Sequence, residues 1–202
     1  MSAIPITQYT LDEYLAREET AVGKSEFYRG QIFAMSGGSP EHSAVGGNIF
    51  ANLHARLRGA PCRPYNSDLK IRIPANGLTT YPDVSVVCGE LQRDPLVPSA
   101  INNPSVIFEV LSKSTENYDR SEKFQLYSQL DSFREYILVA QDKPRVERFV
   151  RRDDVSWILT NFVGLDAVVE LTTLGCSLSL AEIYEDVTFR PDEGSQRLIV
   201  TS

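Results

Sequence analysis

The 202-residue sequence predicts an α/β (α+β) protein, a mixed β-sheet flanked by helices with an antiparallel C-terminal extension. Three observations point there. Helix-like and strand-like segments follow in the order helix, hairpin, helix, several strands, helix, strands. Two strand-like runs, Tyr81–Cys88 and Ser105–Leu111, are apolar almost throughout. From Arg145 onward the chain reads as a meander of short strands.

Each element has a local reason. Thr10 is a helix N-cap, and Leu11, Tyr14 and Leu15 follow at helical spacing. Residues 25–36 alternate in polarity around an Arg29-Gly30 turn, which reads as a β-hairpin. Gly37, Gly38 and Ser39 break the strand. Pro40 suits the first turn of a helix reaching to about Arg58, with Val45, Ile49, Leu53 and Leu57 as its apolar stripe and Gly59 as its stop. Strands are expected at Cys62–Tyr65, Asp68–Ile73 and Tyr81–Cys88, and a polar loop from Gly89 to Pro104. Next come the strand ending at Leu111, a helix from about Tyr118 to Leu130, and a buried strand at Glu135–Val139. The C-terminal strands are Arg145–Arg151, Ser156–Thr160 and Ala167–Leu171, followed by a short helix near Leu180–Tyr184. No repeat or linker divides the chain, so residues 1–190 read as one domain and 191–202 as a polar tail.

Composition narrows the function. With 42% hydrophobic and 23% charged residues the chain can bury a sizeable core. It has no apolar run of about 20 residues and no secretory leader pattern at its start. Three widely separated cysteines, Cys62, Cys88 and Cys176, argue against a disulfide framework or a zinc cluster and suit a reduced, cytoplasmic protein. A net charge of −7 and a pI near 4.9 count against a generally basic nucleic-acid surface. Any such contact needs a local patch. Candidates are Arg56 and Arg58 with Arg63, or Lys143, Arg145, Arg148, Arg151 and Arg152, although surface solvation accounts for most of these charges.

Two acids stand out because they lie in apolar strand-like runs, Asp83 in Tyr81–Val87 and Glu109 in Val106–Leu111. Burying a carboxylate is costly unless it meets a cation. If the two strands are neighbours, both acids enter one cleft and supply the oxygen ligands that Mg²⁺ or Mn²⁺ takes. Either acid alone is also explained as a strand-end residue at the sheet rim. Asp119, Lys123 and Tyr127 recur at a spacing of four and share a helix face. Lys123 is therefore a candidate to stabilise charge on a phosphate, or else one half of an ordinary Asp–Lys pair. With only His42 and His54, a histidine metal cluster is excluded. Asp68-Leu69-Lys70 is too short a pattern to assign. Phosphate-loop, nucleophile-elbow and dinucleotide-binding signatures are all missing.

The full series of motifs resembles a known family. Glu26 with Gly30-Gln31-Ile32, Ser39-Pro40-Glu41-His42, Ser67-Asp68, Tyr81-Pro82-Asp83-Val84, Phe108-Glu109-Val110-Leu111-Ser112 with Ser114-Thr115, and Tyr118-Asp119 with Lys123 and Tyr127 resemble the Uma-type family of bacterial restriction-endonuclease candidates. The resemblance runs from Tyr9 to about Val187. It implies the fold of the PD-(D/E)xK nucleases, with Asp83 and Glu109 as Mg²⁺ ligands and DNA as substrate. The superfamily's usual lysine position, two residues after the second acid, holds Leu111. Lys123 on the neighbouring helix, or Lys113, then replaces it. The resemblance assigns no role to Glu26, His42, Asp68 or Tyr127.

A Mg²⁺-dependent endonuclease, homodimeric by analogy with common two-fold assemblies, is the leading expectation. Two rivals are a binding or regulatory module that keeps the fold without the chemistry, and a structural or toxin-like dimer pairing through Ser156–Val163 and Ala167–Leu171.

Overall fold

The computed structural model describes residues 7–189, so the expected tail from residue 191 lies outside the described residues. Thr10 and Glu13 form a capping box that starts α1 (Leu11–Thr20) by satisfying N–H groups a helix start leaves open. Tyr14 of α1 stacks on Phe27, rings 5.0 Å apart, and donates a hydrogen bond to the Ser25 carbonyl at 2.8 Å. This seats the hairpin of β1 (Ser25–Tyr28) and β2 (Gln31–Ala34). Its turn holds Arg29 at φ 49° and Gly30 at φ 77°, the left-handed pair that a two-residue hairpin turn demands. A Cβ at Gly30 would also collide with Gln8.

α2 (Pro40–Arg56) begins at the Ser39 N-cap and buries Val45, Ile49 and Leu53. It stops two residues short of the expected Arg58. The strands that follow are β3 (Cys62–Asn66), β4 (Lys70–Arg72), β5 (Thr79–Thr80), β6 (Val84–Cys88), β7 (Ala100–Ile101) and β8 (Val106–Leu111). β4 is shorter than expected. β5 and β7 lie in segments that carry no alternation to announce them, β7 within the expected loop. Two residues are too few for a periodic pattern, and both strands form only because partners wait for them.

The expected helix from Tyr118 comprises α3 (Glu116–Tyr118), a π-helical turn (Asp119–Lys123) and α4 (Phe124–Tyr127). Then come β9 (Glu135–Ala140), β10 (Arg145–Arg151), β11 (Trp157–Val163), the hairpin β12 (Val168–Leu171) and β13 (Cys176–Ser179), and α5 (Leu180–Ile183).

Six strands form the central sheet in the order β11-β10-β9-β8-β6-β3, with only β8 and β9 parallel. A second sheet has the order β2-β1-β5-β4-β7. One face of the central sheet packs Val106, Phe108 and Val110 against α2, β12, β13 and α5. The other packs Ile107 and Leu111 against the second sheet and against Leu126, Tyr127 and Leu130. The fold is thus the expected mixed α+β arrangement, with antiparallel strands closing its C-terminal half.

One expectation is overturned. Cys62 and Cys88 stand directly opposite each other in the antiparallel β3–β6 pair and are disulfide-bonded. Their separation of 26 residues hid a partnership that strand register creates. Cys176 is free. The cytoplasmic expectation loses the argument it drew from unpaired thiols. No helix among the described residues is long and apolar enough to cross a membrane.

Candidate active site

The site grows out of one register. β6 pairs antiparallel with β8, Val84 opposite Phe108. One further step sets Asp83 opposite Glu109, and directly opposed residues project to the same face. Asp83 is not inside a strand, as the sequence predicted, but immediately ahead of β6 and 21% exposed. Its Oδ2 accepts the Val110 N–H at 2.7 Å, which ties it to the neighbouring strand. Glu109 lies inside β8 and is buried at the base of the cleft.

The helical segment 116–127 covers this face. Lys123 Nζ lies 3.0 Å from Glu109 Oε1, 3.1 Å from Glu26 Oε1 and 3.5 Å from Asp119 Oδ1. Tyr127 donates its hydroxyl to Glu109 Oε1 at 3.0 Å. The face predicted from spacing is therefore real, but it points inward and not to solvent. The π turn spans Asp119 to Lys123, and such turns recur at functional positions. Tyr136 pins the turn by donating to the Asp119 carbonyl at 3.0 Å. Glu26 arrives from the hairpin and accepts a bond from Thr80. Its role went unread because one acid in a four-residue strand has no pattern of its own.

Three carboxylates around one ammonium leave surplus negative charge. The Lys123 ammonium is held charged, its pKa raised well above the usual range: burial opposes the charge, and Glu109, Tyr127, Glu26 and Asp119 outweigh burial. Burial pushes the Glu109 carboxyl up to about 8 against the pull of Lys123, and the charges of Asp119 and Asp83 push the same way. Asp119 is raised too, by burial first. His42, in the first turn of α2, reaches Asp83 Oδ2 with Nε2 at 3.4 Å. Burial lowers its pKa, but the bond and charge of Asp83 win and the net direction is upward.

Glu26, His42, Asp83, Glu109, Asp119 and Lys123 line a cleft of about 800 Å³, whose walls include the hairpin, the 36–39 segment and Tyr118. Lys113 is exposed and outside that lining, so Lys123 is the lysine beside Glu109. Asp68 is exposed and paired with Lys24 at 2.6 Å. His54 stacks on Phe50 further along α2. The basic stretch 145–152 is largely occupied: Arg145 pairs with Glu147, Arg148 donates to the Glu170 carbonyl, Arg151 to those of Ser128 and Leu130, and Arg152 pairs with Asp153. Arg56 pairs with Glu182.

The donor chemistry fits a hard divalent cation. Asp83 and Glu109 offer carboxylate oxygens, and a nearby double positive charge would offset the burial, and the charges of Asp119 and Asp83, that push Glu109 up. Among the described residues no group of three or more His, Cys, Asp or Glu side chains is placed to hold a metal ion. Mg²⁺ needs none, because it retains several waters and takes one or two carboxylates.

Comparison with known proteins agrees with this architecture. Residues 11–181 match the family model Uma2, described as "Putative restriction endonuclease". An uncharacterized protein of Synechocystis sp. is 37% identical over 185 residues, covering 92% of this chain and 96% of the relative. A second from the same organism is 34% identical over 163 residues, covering 81% and 92%. The crystal structure of a putative nuclease belonging to DUF820 from Anabaena variabilis superposes with a TM-score of 0.70 at 19% identity, over 89% of this chain and 98% of that one. That likeness establishes a shared nuclease-like fold. With a family model covering most of its length, this chain belongs to the Uma2 family of putative restriction endonucleases.

Proposed function

We propose that the protein is a Mg²⁺-dependent endonuclease (Mn²⁺ serving in its place) that hydrolyses DNA phosphodiester bonds, with Asp83 and Glu109 as metal ligands and Lys123 as the third catalytic residue. The observation that carries this reading is the buried Lys123–Glu109 pair facing Asp83 on the floor of a cleft. A buried cation–carboxylate pair is seldom a net gain in stability, and perturbed ionisable groups converging in a cleft favour chemistry. When bound, the divalent ion supplies charge neutralisation and a more acidic water. Lys123 lends positive charge to the phosphate oxygens as they become more negative. Tyr127 and Glu26 hold that ammonium and its carboxylate partner in place. His42 steadies Asp83 from the α2 side.

The test is cleavage of supercoiled plasmid and labelled oligonucleotides in Mg²⁺ or Mn²⁺, with calorimetric titration of both ions. Wild type should cut and bind metal, while Asp83→Ala and Glu109→Ala should lose metal binding and about 10²-fold or more in rate. Full cleavage by Asp83→Ala sinks the assignment. Absence of both metal binding and cleavage in wild type moves the protein to a non-catalytic module on the same fold.

A homodimer belongs to the same proposal. β11 ends the central sheet, and Ile158, Leu159 and Val163 along it are exposed, as in strands that pair across a two-fold axis. Light scattering should give twice the monomer mass, falling to the monomer for Leu159→Lys.

A further inference from the structure

We propose that the cleft takes an unpaired nucleotide, its base stacked on Phe33 and its phosphate facing Lys123 and the cation that Asp83 and Glu109 would hold, which makes single-stranded DNA the substrate class. This rests on the nuclease reading above and adds what that reading leaves open.

The hairpin register fixes where Phe33 lies. Phe33 of β2 stands opposite Glu26 of β1, so their side chains share a face with Cβ atoms about 5 Å apart. Glu26 in turn touches Lys123 at 3.1 Å. Phe33 lines the cleft one residue removed from the ion-pair centre, yet the residue is 46% exposed. Single exposed apolar side chains are ordinary on a protein surface. A bare aromatic ring in the wall of this cleft, fixed beside its charged centre by strand pairing, is a platform for a flat apolar face. The neighbouring pair on the same face, Tyr28 opposite Gln31, adds a second ring over which Arg29 lies at 5.0 Å. Aromatic rings that stack bases are how proteins hold single strands without reading their sequence.

Charge argues in the same direction. Among the described residues, five acidic side chains line the cleft against two permanent cations, Arg29 and Lys123. A duplex presents a phosphate about every 1.7 Å of axis, and binding it relies on many basic contacts. The arginine-rich strand β10 spends its guanidinium groups internally. The cleft volume of about 800 Å³ is also that of a small-ligand pocket, suited to a nucleotide or two. Stacking, with one phosphate met by the metal and Lys123, needs no basic track.

The test measures equilibrium binding apart from cleavage. Fluorescence anisotropy would compare a labelled mixed-sequence oligonucleotide, its duplex, and the RNA of the same sequence, with Ca²⁺ as a hard, oxygen-seeking stand-in for Mg²⁺ and gels confirming intact probes. The single strand should bind at least about tenfold more tightly than the duplex. Phe33→Ala and Phe33→Leu should weaken single-strand binding about five- to tenfold with the salt dependence unchanged, and Phe33→Trp should restore it. Tighter binding of RNA than DNA reassigns the source of the unpaired nucleotide and overturns the DNA choice. Equal affinity for duplex, or a Phe33→Leu variant indistinguishable from wild type, overturns the proposal. The cleavage assay separates the two readings. Strand-selective binding without cleavage removes the nuclease reading alone, and equal cutting of duplex and single strand removes this one alone.

Discussion

Lys123 is the residue on which the site turns, because three carboxylates depend on one buried ammonium. Lys123→Met leaves those charges unpaired, and breaking a buried pair from one side costs about 3–5 kcal/mol. Urea unfolding at neutral pH should show a loss near the lower end, since Glu109, held up to about 8, already carries a proton there. Glu109→Gln keeps an acceptor for Tyr127 and should cost less stability while abolishing metal binding. The pH dependence follows from Glu109, whose carboxyl is held up to about 8. Below that value the folded protein carries the proton, and a cation must displace it. Mn²⁺ affinity measured by calorimetry should therefore rise with pH by about tenfold per unit below pH 8 and level off above it. A flat profile from pH 6.5 to 8.5 would contradict the assignment of Glu109 as ligand. Asp83 and Glu109 were legible in the sequence as acids in apolar runs. The choice of Lys123 over Lys113 was not, because both stand near the second acid in sequence and only the packing of the helical segment on β8 separates them.

At the scale of the element, the start of α2 couples a turn to the site. Ser39 caps the helix by accepting the His42 N–H at 3.2 Å, and the same turn aims the His42 ring at Asp83. A Cβ built on Gly38 would approach His42 Nδ1 to 2.5 Å. Gly38→Ala should push the ring away from Asp83 without breaking the helix. The His42 pKa, raised by Asp83 against the effect of burial, should then fall, as followed by its ring proton shifts in NMR. An unchanged titration would mean that Gly38 does not control the ring. The hairpin, the Thr10 cap and the apolar stripe of α2 were readable because their causes lie within a few residues. The π turn was not, since its spacing matches an ordinary helix and the distinction depends on what the side chains reach.

At the scale of the whole molecule, the disulfide joins β3 to β6 at the far end of the strand that begins beside Asp83. It closes a loop of 26 residues in sequence, which restrains the unfolded chain by about 3 kcal/mol. The Cys62→Ser/Cys88→Ser variant should lose about 2–4 kcal/mol in urea unfolding. Reductant should lower wild type by a similar amount and leave the variant unmoved. If reductant destabilises neither, the bridge contributes no stability.

Local causes were enough to set most of the order of elements and to single out Asp83 and Glu109, with Lys123 and Lys113 left as alternatives. Apolar periodicity, capping residues and turn glycines act over one or two turns of chain, so they survive in a bare sequence. The tertiary structure decided the rest. It paired two-residue strands β5 and β7, joined Cys62 to Cys88, set Asp83 opposite Glu109, brought Glu26 to Lys123 and left Phe33 bare beside them. Each of these depends on register between segments distant in sequence. Register is chosen by the burial of whole faces against one another, an energy that no single segment carries.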